Sequence, residues 1–228
     1  MLDTLDWLAL EVVSLERADR FYGDTLALPV DSRTNAEIRY RVGDTALVCR
    51  RPRGVPRGGL HTHFAMATGT QGYDEWFEAL AGFDPAEFDF GVYRSLYVDD
   101  PDGHCVEIGG ADEDETETGL TGIFEIVLEV ESLPAAEKAY RSLGFEVVDR
   151  GDERRRVRLR GPMDLELWEP QLGIADARGG VHVDVGFRTA DPDNAATAMG
   201  DHVVARERLD DGVRVRDADG HYVTFRSR

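Results

Sequence analysis

Lysine is almost missing from this chain of 228 residues. Lys138 is the only one among 26 basic residues, which face 45 acidic ones for a formal net charge of −19. A surface so negative repels DNA, RNA and anionic membranes, so neither nucleic acid nor membrane is expected as a partner. The richest basic stretch, Arg154 to Arg160, alternates from Arg156 onward and reads as the solvent face of a strand. Such a balance suits a medium of high salt, where screening offsets self-repulsion, and a halophilic protein is the expectation. Cysteine is also scarce. Cys49 and Cys105 are the two, too few for a disulfide scaffold or a zinc knuckle, and each is expected to sit reduced in a strand. No apolar run approaches bilayer length, and Met1 to Asp6 lacks the basic start and apolar core of a signal peptide. Cytoplasmic location follows as the default.

What is present is a repeat. Asp100-Pro101-Asp102-Gly103-His104-Cys105-Val106-Glu107-Ile108 returns about half the chain later as Asp217-Ala218-Asp219-Gly220-His221-Tyr222-Val223-Thr224-Phe225. The chain is therefore an internal duplication. Its copies differ in chemistry, because Glu107, a strand carboxylate able to hold a metal, is Thr224 in the second. Asp and Gly in the turn itself serve backbone geometry, and His61, His104, His182 and His221 are expected at turns or the surface.

Periodicity divides the halves again. Leu5 to Val12 alternates as a strand, and Ser14 can cap a following helix carrying Ala18, Phe21, Tyr22 and Leu26. Two strands near 37–42 and 45–50 complete the unit before the Pro/Gly-rich stretch 51–59 breaks the pattern. The second unit runs from Thr62 to Ile108, with Trp76, Phe77 and Leu80 on its helix. The acidic stretch 111–118 lacks apolar anchors and reads as a solvated boundary, giving a linker at 111–121. The pattern restarts at Phe124, with Ser132 as cap and Gly144 as a left-handed helix stop, and again at Val181. The expected architecture is α+β: four βαβββ modules at 1–50, 59–110, 122–170 and 180–228. They form two domains, 1–110 and 122–228, with mixed or antiparallel sheets and helices on one side.

This order is similar to the vicinal oxygen chelate superfamily, which contains glyoxalase I, fosfomycin and bleomycin resistance proteins, and extradiol dioxygenases. The marks are Ala18-Asp19-Arg20-Phe21-Tyr22, Leu60-His61-Thr62-His63-Phe64-Ala65, and Leu96-Tyr97-Val98-Asp99-Asp100-Pro101-Asp102-Gly103 running into Glu107. The resemblance implies two glyoxalase-like domains whose curved sheets close around a small cavity holding a divalent metal. It also implies ligands on the first and last strand of each module. Here those positions are Trp7, His63, Glu125 and Asp184, and Val48, Glu107, Glu166 and Thr224. Imidazole and carboxylates suit zinc, nickel, manganese or ferrous iron.

Pairing modules in sequence order leaves two incomplete sites, His63 with Glu107 and Glu125 with Glu166 and Asp184. Pairing module two with module three gathers His63, Glu107, Glu125 and Glu166, as in glyoxalase I. There Glu107 or Glu125 would move the proton. The linker, ~40 Å when extended, permits either. The motif wording is closest to catechol-type extradiol dioxygenases, in which Tyr97 would donate a hydrogen bond to substrate. Phe90, however, stands where those enzymes place an acid/base histidine. Three classes stay open: a metal-dependent enzyme acting on a small oxygenated molecule, a metal-free binding protein for an aromatic ligand, or a homologue with no retained site. Trp7, Phe64, Trp76, Tyr97 and Trp168 lie near candidate cavities in the second reading. A fused chain needs no partner copy, so monomer and homodimer are both compatible.

Overall fold

The computed structural model describes residues 1–51, 62–152, 155–169 and 183–228. Module one consists of β1 (Leu2–Glu11), α1 (Leu15–Ala18) continued by a wider helical turn over Asp19–Thr25, β2 (Val30–Arg33), β3 (Glu37–Val42) and β4 (Thr45–Arg50). Module two has β5 (Thr62–Ala67), α2 (Thr70–Ala79), β6 (Ala86–Asp89), β7 (Arg94–Asp99) and β8 (Cys105–Gly109). In module three the elements are β9 (Gly122–Glu129), α3 (Leu133–Ser142), β10 (Glu146–Arg150), β11 (Arg156–Arg160) and β12 (Asp164–Trp168). Module four has β13 (Val183–Thr189), α4 (Pro192–Ala198), β14 (Val203–Leu209), β15 (Gly212–Asp217) and β16 (Tyr222–Ser227). Ser14 accepts the Arg17 N–H as a helix cap. Ser132 occupies the same place before α3 without making that bond, and Gly144 stops α3 at φ +102°.

Two eight-stranded sheets result. One has the order β14-β15-β16-β13-β1-β4-β3-β2, and the other β10-β11-β12-β9-β5-β8-β7-β6. Modules one and four share the first sheet, and modules two and three the second. The expectation of curved, closing sheets is therefore corrected. Each sheet is open, ending on β14 and β2 or on β10 and β6, and each joins modules from both halves of the chain. All four opening strands carry a similar alternation, so sequence pattern alone cannot choose their partners. In the structure β1 pairs antiparallel with β13 and β5 with β9, while each module's own last strand lies parallel to its first. The edge strands carry charges such as Asp31, Glu87, Asp149 and Glu207, which discourage further strand addition.

Alternation gives every strand one apolar and one mixed face. On β1 and β4, Leu8, Leu10, Leu47 and Cys49 join the large core beneath the helices, which spans both sheets. Trp7, Ala9, Ala46 and Val48 form a separate small cluster on the opposite face. The acidic stretch 111–121 is exposed but not free. Its Glu117 and Glu115 carbonyls accept the N–H groups of Gly69 and Gln71 at the start of α2, where no side chain caps the helix. The Thr118 carbonyl accepts the Trp76 indole N–H at 2.9 Å. Orphan helix donors thus anchor the acidic part of the segment, while Leu120 near its end packs against the core.

The duplicated turn joins the two sheets. Asp100 accepts the Asp102 and His104 N–H groups through Oδ1, and the Tyr22 hydroxyl at 2.8 Å through Oδ2. Asp102 reaches across to the Val13 N–H. In the second copy Asp217 accepts the His221 N–H and the Tyr140 hydroxyl, and Asp219 accepts the Glu131 N–H. His104 and His221 lie at the duplicated turn, one of the two expected positions, but not at the surface. Both are fully buried, their rings directed at the main-chain oxygens of Glu11 and Glu129. His61 and His182 lie outside the described residues.

Tyr22→Phe would leave the buried Asp100 without its hydroxyl donor and should cost ~1–3 kcal/mol in chemical denaturation; an unchanged midpoint would contradict the joint. A second measurement concerns pH. Burial and the Asp100 charge push the Asp102 carboxyl above its usual 3.8. An acid raised on folding contributes stability below its unfolded value and loses that contribution as pH rises through the folded one. Asp102→Asn keeps an oxygen for Val13 without the charge. It should melt above the parent at neutral pH, with the gap closing below about 4. A gap independent of pH would refute this.

Candidate functional site

On the mixed face of the second sheet, His63 on β5, Glu107 on β8 and Glu125 on β9 stand on neighbouring strands. The register sets them side by side, since His63 pairs with Cys105, and Ala65 with both Glu107 and Glu125. One ligand atom from each lies within 4.8 Å of the other two. His63 Nε2 is 3.0 Å from Glu107 Oε2, and the other Glu107 oxygen accepts the Ser95 hydroxyl at 2.6 Å. Glu107 is 2% exposed and Glu125 5%. Buried carboxylates require such partners or a cation.

Glu166 on β12 lies beyond this trio. Its oxygens are held by Arg156 at 3.1 Å and by the Trp168 indole N–H at 2.6 Å. Arg158 forms an ion pair with Glu125 and comes within 3.5 Å of Glu166. The reading of these arginines as a solvent face is corrected. Arg156 and Arg158 alternate with the core residues Val157 and Leu159, but the face they occupy is the wall of a cavity of about 410 Å³. Tyr97, stacked edge-on against His63, lines the same cavity with Phe88, Phe90 and Tyr93. Burial first, then Glu107, pushes the Tyr97 hydroxyl well above its ordinary value, so it stays protonated and able to donate. Burial likewise raises Tyr93, with Arg158 opposing.

The first sheet has the corresponding positions filled differently. Trp7, at the place of Glu125, lies flat over Gly186, where a Cβ would come within 2.3 Å of the indole. Arg39 and Arg226 stand 5.6 and 5.4 Å from the ring centroid. Asp184, at the place of His63, is 3.0 Å from both Arg50 and Arg214 and accepts the Thr224 hydroxyl at 2.6 Å. Guanidinium groups here provide the positive charge a cation would bring. Ala9, Ala46 and Val48 pack with Trp7, and Ala9 also borders a cavity of about 250 Å³ walled by Arg50, Asp184 and Arg214.

Solved structures with a similar fold were found despite low identity. One described as "putative dioxygenase from Bacillus subtilis subsp. subtilis str. 168" aligns over 99% of this chain and 85% of its own, with a TM-score of 0.73 at 15% identity. Glyoxalase I from Zea mays aligns over 98% of this chain and 92% of its own, with a TM-score of 0.69 at 17% identity. A variant of that maize enzyme gives 0.72 at 18%, over 98% and 92%. At 15–18% identity these likenesses show a shared fold. No family model and no curated protein sequence matches the chain.

Within that fold, of the aromatic residues expected near a cavity, Tyr97 and Trp168 line this one. Phe64 is fully buried in the core on the opposite face, and Trp76 packs beside it while bonding Thr118. Arg156, Arg158 and Tyr93 are the residues sequence reasoning missed. A strand of alternating arginine and aliphatic residues looks the same whether its polar side meets water or a polar cavity. Carboxylates at the paired positions, with Arg158 opposite Glu166, are the signal that separates the two. Among the described residues, a second group of potential ligands, His202, Asp217 and Asp219, lies far from this face in the chain's last joint.

Trp7→Ala should cost ~3–5 kcal/mol, as for a buried tryptophan that leaves a void. A loss below ~1 kcal/mol in urea unfolding would mean the indole is loosely held instead of packed.

Proposed function

We propose that the chain is a divalent-metal-dependent enzyme acting on a small oxygenated molecule with an aromatic or other flat apolar part. The observation that carries this is the convergence of His63, Glu107 and Glu125 at the base of an aromatic-walled cavity. The donor set fits the group. One imidazole and two carboxylates suit zinc, nickel, manganese or ferrous iron, and the 3.0 Å between His63 and Glu107 suits two ligands of one ion. A cation held there would act as a Lewis acid toward an oxygen of the substrate. Glu166 would join the set if Arg156 and Trp168 released it.

The remaining chemistry belongs to side chains. Tyr97 donates a hydrogen bond to a substrate oxygen. Phe88 and Phe90, both about half exposed, cover the flat part of the substrate and exclude water. Arg158 orients an anionic oxygen, and in doing so leaves Glu125. Glu125 then moves the proton, with Glu107 remaining fixed between His63 and Ser95. Isomerisation through a proton shift matches this arrangement better than ring opening, because Phe90 supplies no acid/base group.

A metal-free reading has its own support. The Arg158–Glu125 and Arg156–Glu166 ion pairs satisfy the carboxylates without a cation, and an anionic aromatic ligand could be bound by the same arginines. Two variants separate the readings. If a metal is held, His63→Ala loses one equivalent of zinc or nickel in equilibrium dialysis, and Arg158→Gln binds it about tenfold more tightly, near 1.4 kcal/mol. Quenching of Trp168 fluorescence by nickel should follow the same order. Identical metal content in His63→Ala and the parent would reject the enzyme reading and leave the binding one.

A further inference from the structure

The last joint contains a side chain for which neither the fold nor the proposed activity accounts. His202 ends the short turn Gly200–His202 between α4 and β14. Its side chain is only 7% exposed, and Nε2 makes no hydrogen bond. It faces two carboxylate oxygens, Asp219 Oδ2 at 3.5 Å and Asp217 Oδ2 at 3.8 Å. Both distances exceed a good hydrogen bond. They are close to the edge of a coordination tetrahedron with bonds of ~2.0–2.1 Å, about 3.4 Å. The three atoms lie within 4.8 Å of one another.

The other oxygens are already committed. Asp217 Oδ1 accepts the His221 N–H at 2.8 Å, and Asp219 Oδ1 accepts the Glu131 N–H at 2.7 Å. The Tyr140 hydroxyl donates to Asp217 Oδ2 at 3.2 Å, which leaves that oxygen a second lone pair. The carboxylates are therefore fixed, with their remaining acceptor sites turned toward an imidazole that does not reach them.

The first joint shows what is different. There Arg17 places a guanidinium on the Pro101 carbonyl, beside Asp100 and Asp102. The corresponding short turn carries Phe83, packed edge-on against Phe21. In module three the place of Arg17 is taken by Ala135, and in module four the turn carries His202. One joint thus has an arginine and a phenylalanine. The other has exchanged both and gained a metal-ligating residue aimed at the paired acids.

We infer that His202, Asp217 and Asp219 form a structural site for a zinc-like divalent cation, which fixes within module four the two carboxylates that accept Tyr140 and the Glu131 N–H of module three. Three protein ligands leave a fourth position for a solvent oxygen. The site is separate from the cavity of His63 and Glu107, and neither depends on the other.

Full-length protein stripped with chelator tests this by titration with zinc and with cobalt, whose absorption reports tetrahedral coordination. The His63→Ala protein, lacking the cavity site, should still bind one equivalent and melt several degrees higher with zinc than without. Adding His202→Gln should remove that equivalent and the increment. Asp219→Asn keeps an oxygen for Glu131 and should weaken zinc at least tenfold while folding normally. A His63→Ala protein that binds no zinc, or one whose stoichiometry and melting increment survive His202→Gln, would overturn the inference. Loss of metal only in His63 variants bears on the cavity, and loss only in His202 variants bears on the joint.

Discussion

The buried aspartate at the head of each duplicated turn is the constraint on which the molecule rests. Asp100 and Asp217 are charged groups with almost no exposure, tolerable only because turn N–H groups and a tyrosine hydroxyl from another module surround each one. Those donors come from both sides of the gap between the sheets. Satisfying the carboxylate therefore means docking the second module against the first and the fourth against the third. Sheet pairing ties one to four and two to three. Four modules held by four different contacts form a ring of dependencies, and no module can shift without exposing either a strand edge or an acid.

On this symmetric frame the two mixed faces have diverged. Where the second sheet has His63, Glu107 and Glu125, the first has Asp184, Thr224 and Trp7. The same problem, carboxylate charge on a partly desolvated surface, is solved there by Arg50 and Arg214. A guanidinium cannot polarise a substrate oxygen as a metal ion does, and with Trp7 filling the place of Glu125 the cavity on this face is the smaller one, about 250 Å³. One face keeps the larger cavity with a histidine among its carboxylates, and the other has arginines and a packed indole in their place. The arginines on the open face lie between these extremes, close enough to Glu125 and Glu166 to balance them, yet on side chains about a quarter exposed that can be drawn elsewhere.

Much of this was legible in the residues. Alternation from Leu5 to Val12, the cap at Ser14, and the repeated Asp-x-Asp-Gly-His turn define module order and strand faces, because each is a local property of the backbone. Partner choice is not local. Phe124 to Val130 and Thr62 to Ala67 alternate as β1 does, so nothing in either says that they pair with each other. For the same reason Glu107 and Glu125 could be named as strand carboxylates, but their approach follows only from the β5 to β9 register. The burial of His104 and His221 was not legible because what buries them, Glu11 and Glu129, is distant in the chain. His202 sits in a turn with no motif, and its partners arrive from the far end of the next hairpin.

The nesting of the modules has a consequence for how the chain folds. The second sheet is built from one continuous stretch, β5 to β12, whereas β1 must wait for β13, which follows it only after that whole sheet has been made. Loop closure over such a span is slow and entropically costly. During synthesis the inner sheet can therefore assemble first and act as a template. The N-terminal module, docked on it through the Asp100 turn, would then hold one unpaired strand open to its final partner or to that of a neighbouring molecule. Exchange of the fourth module between two chains is the misassembly this connectivity favours.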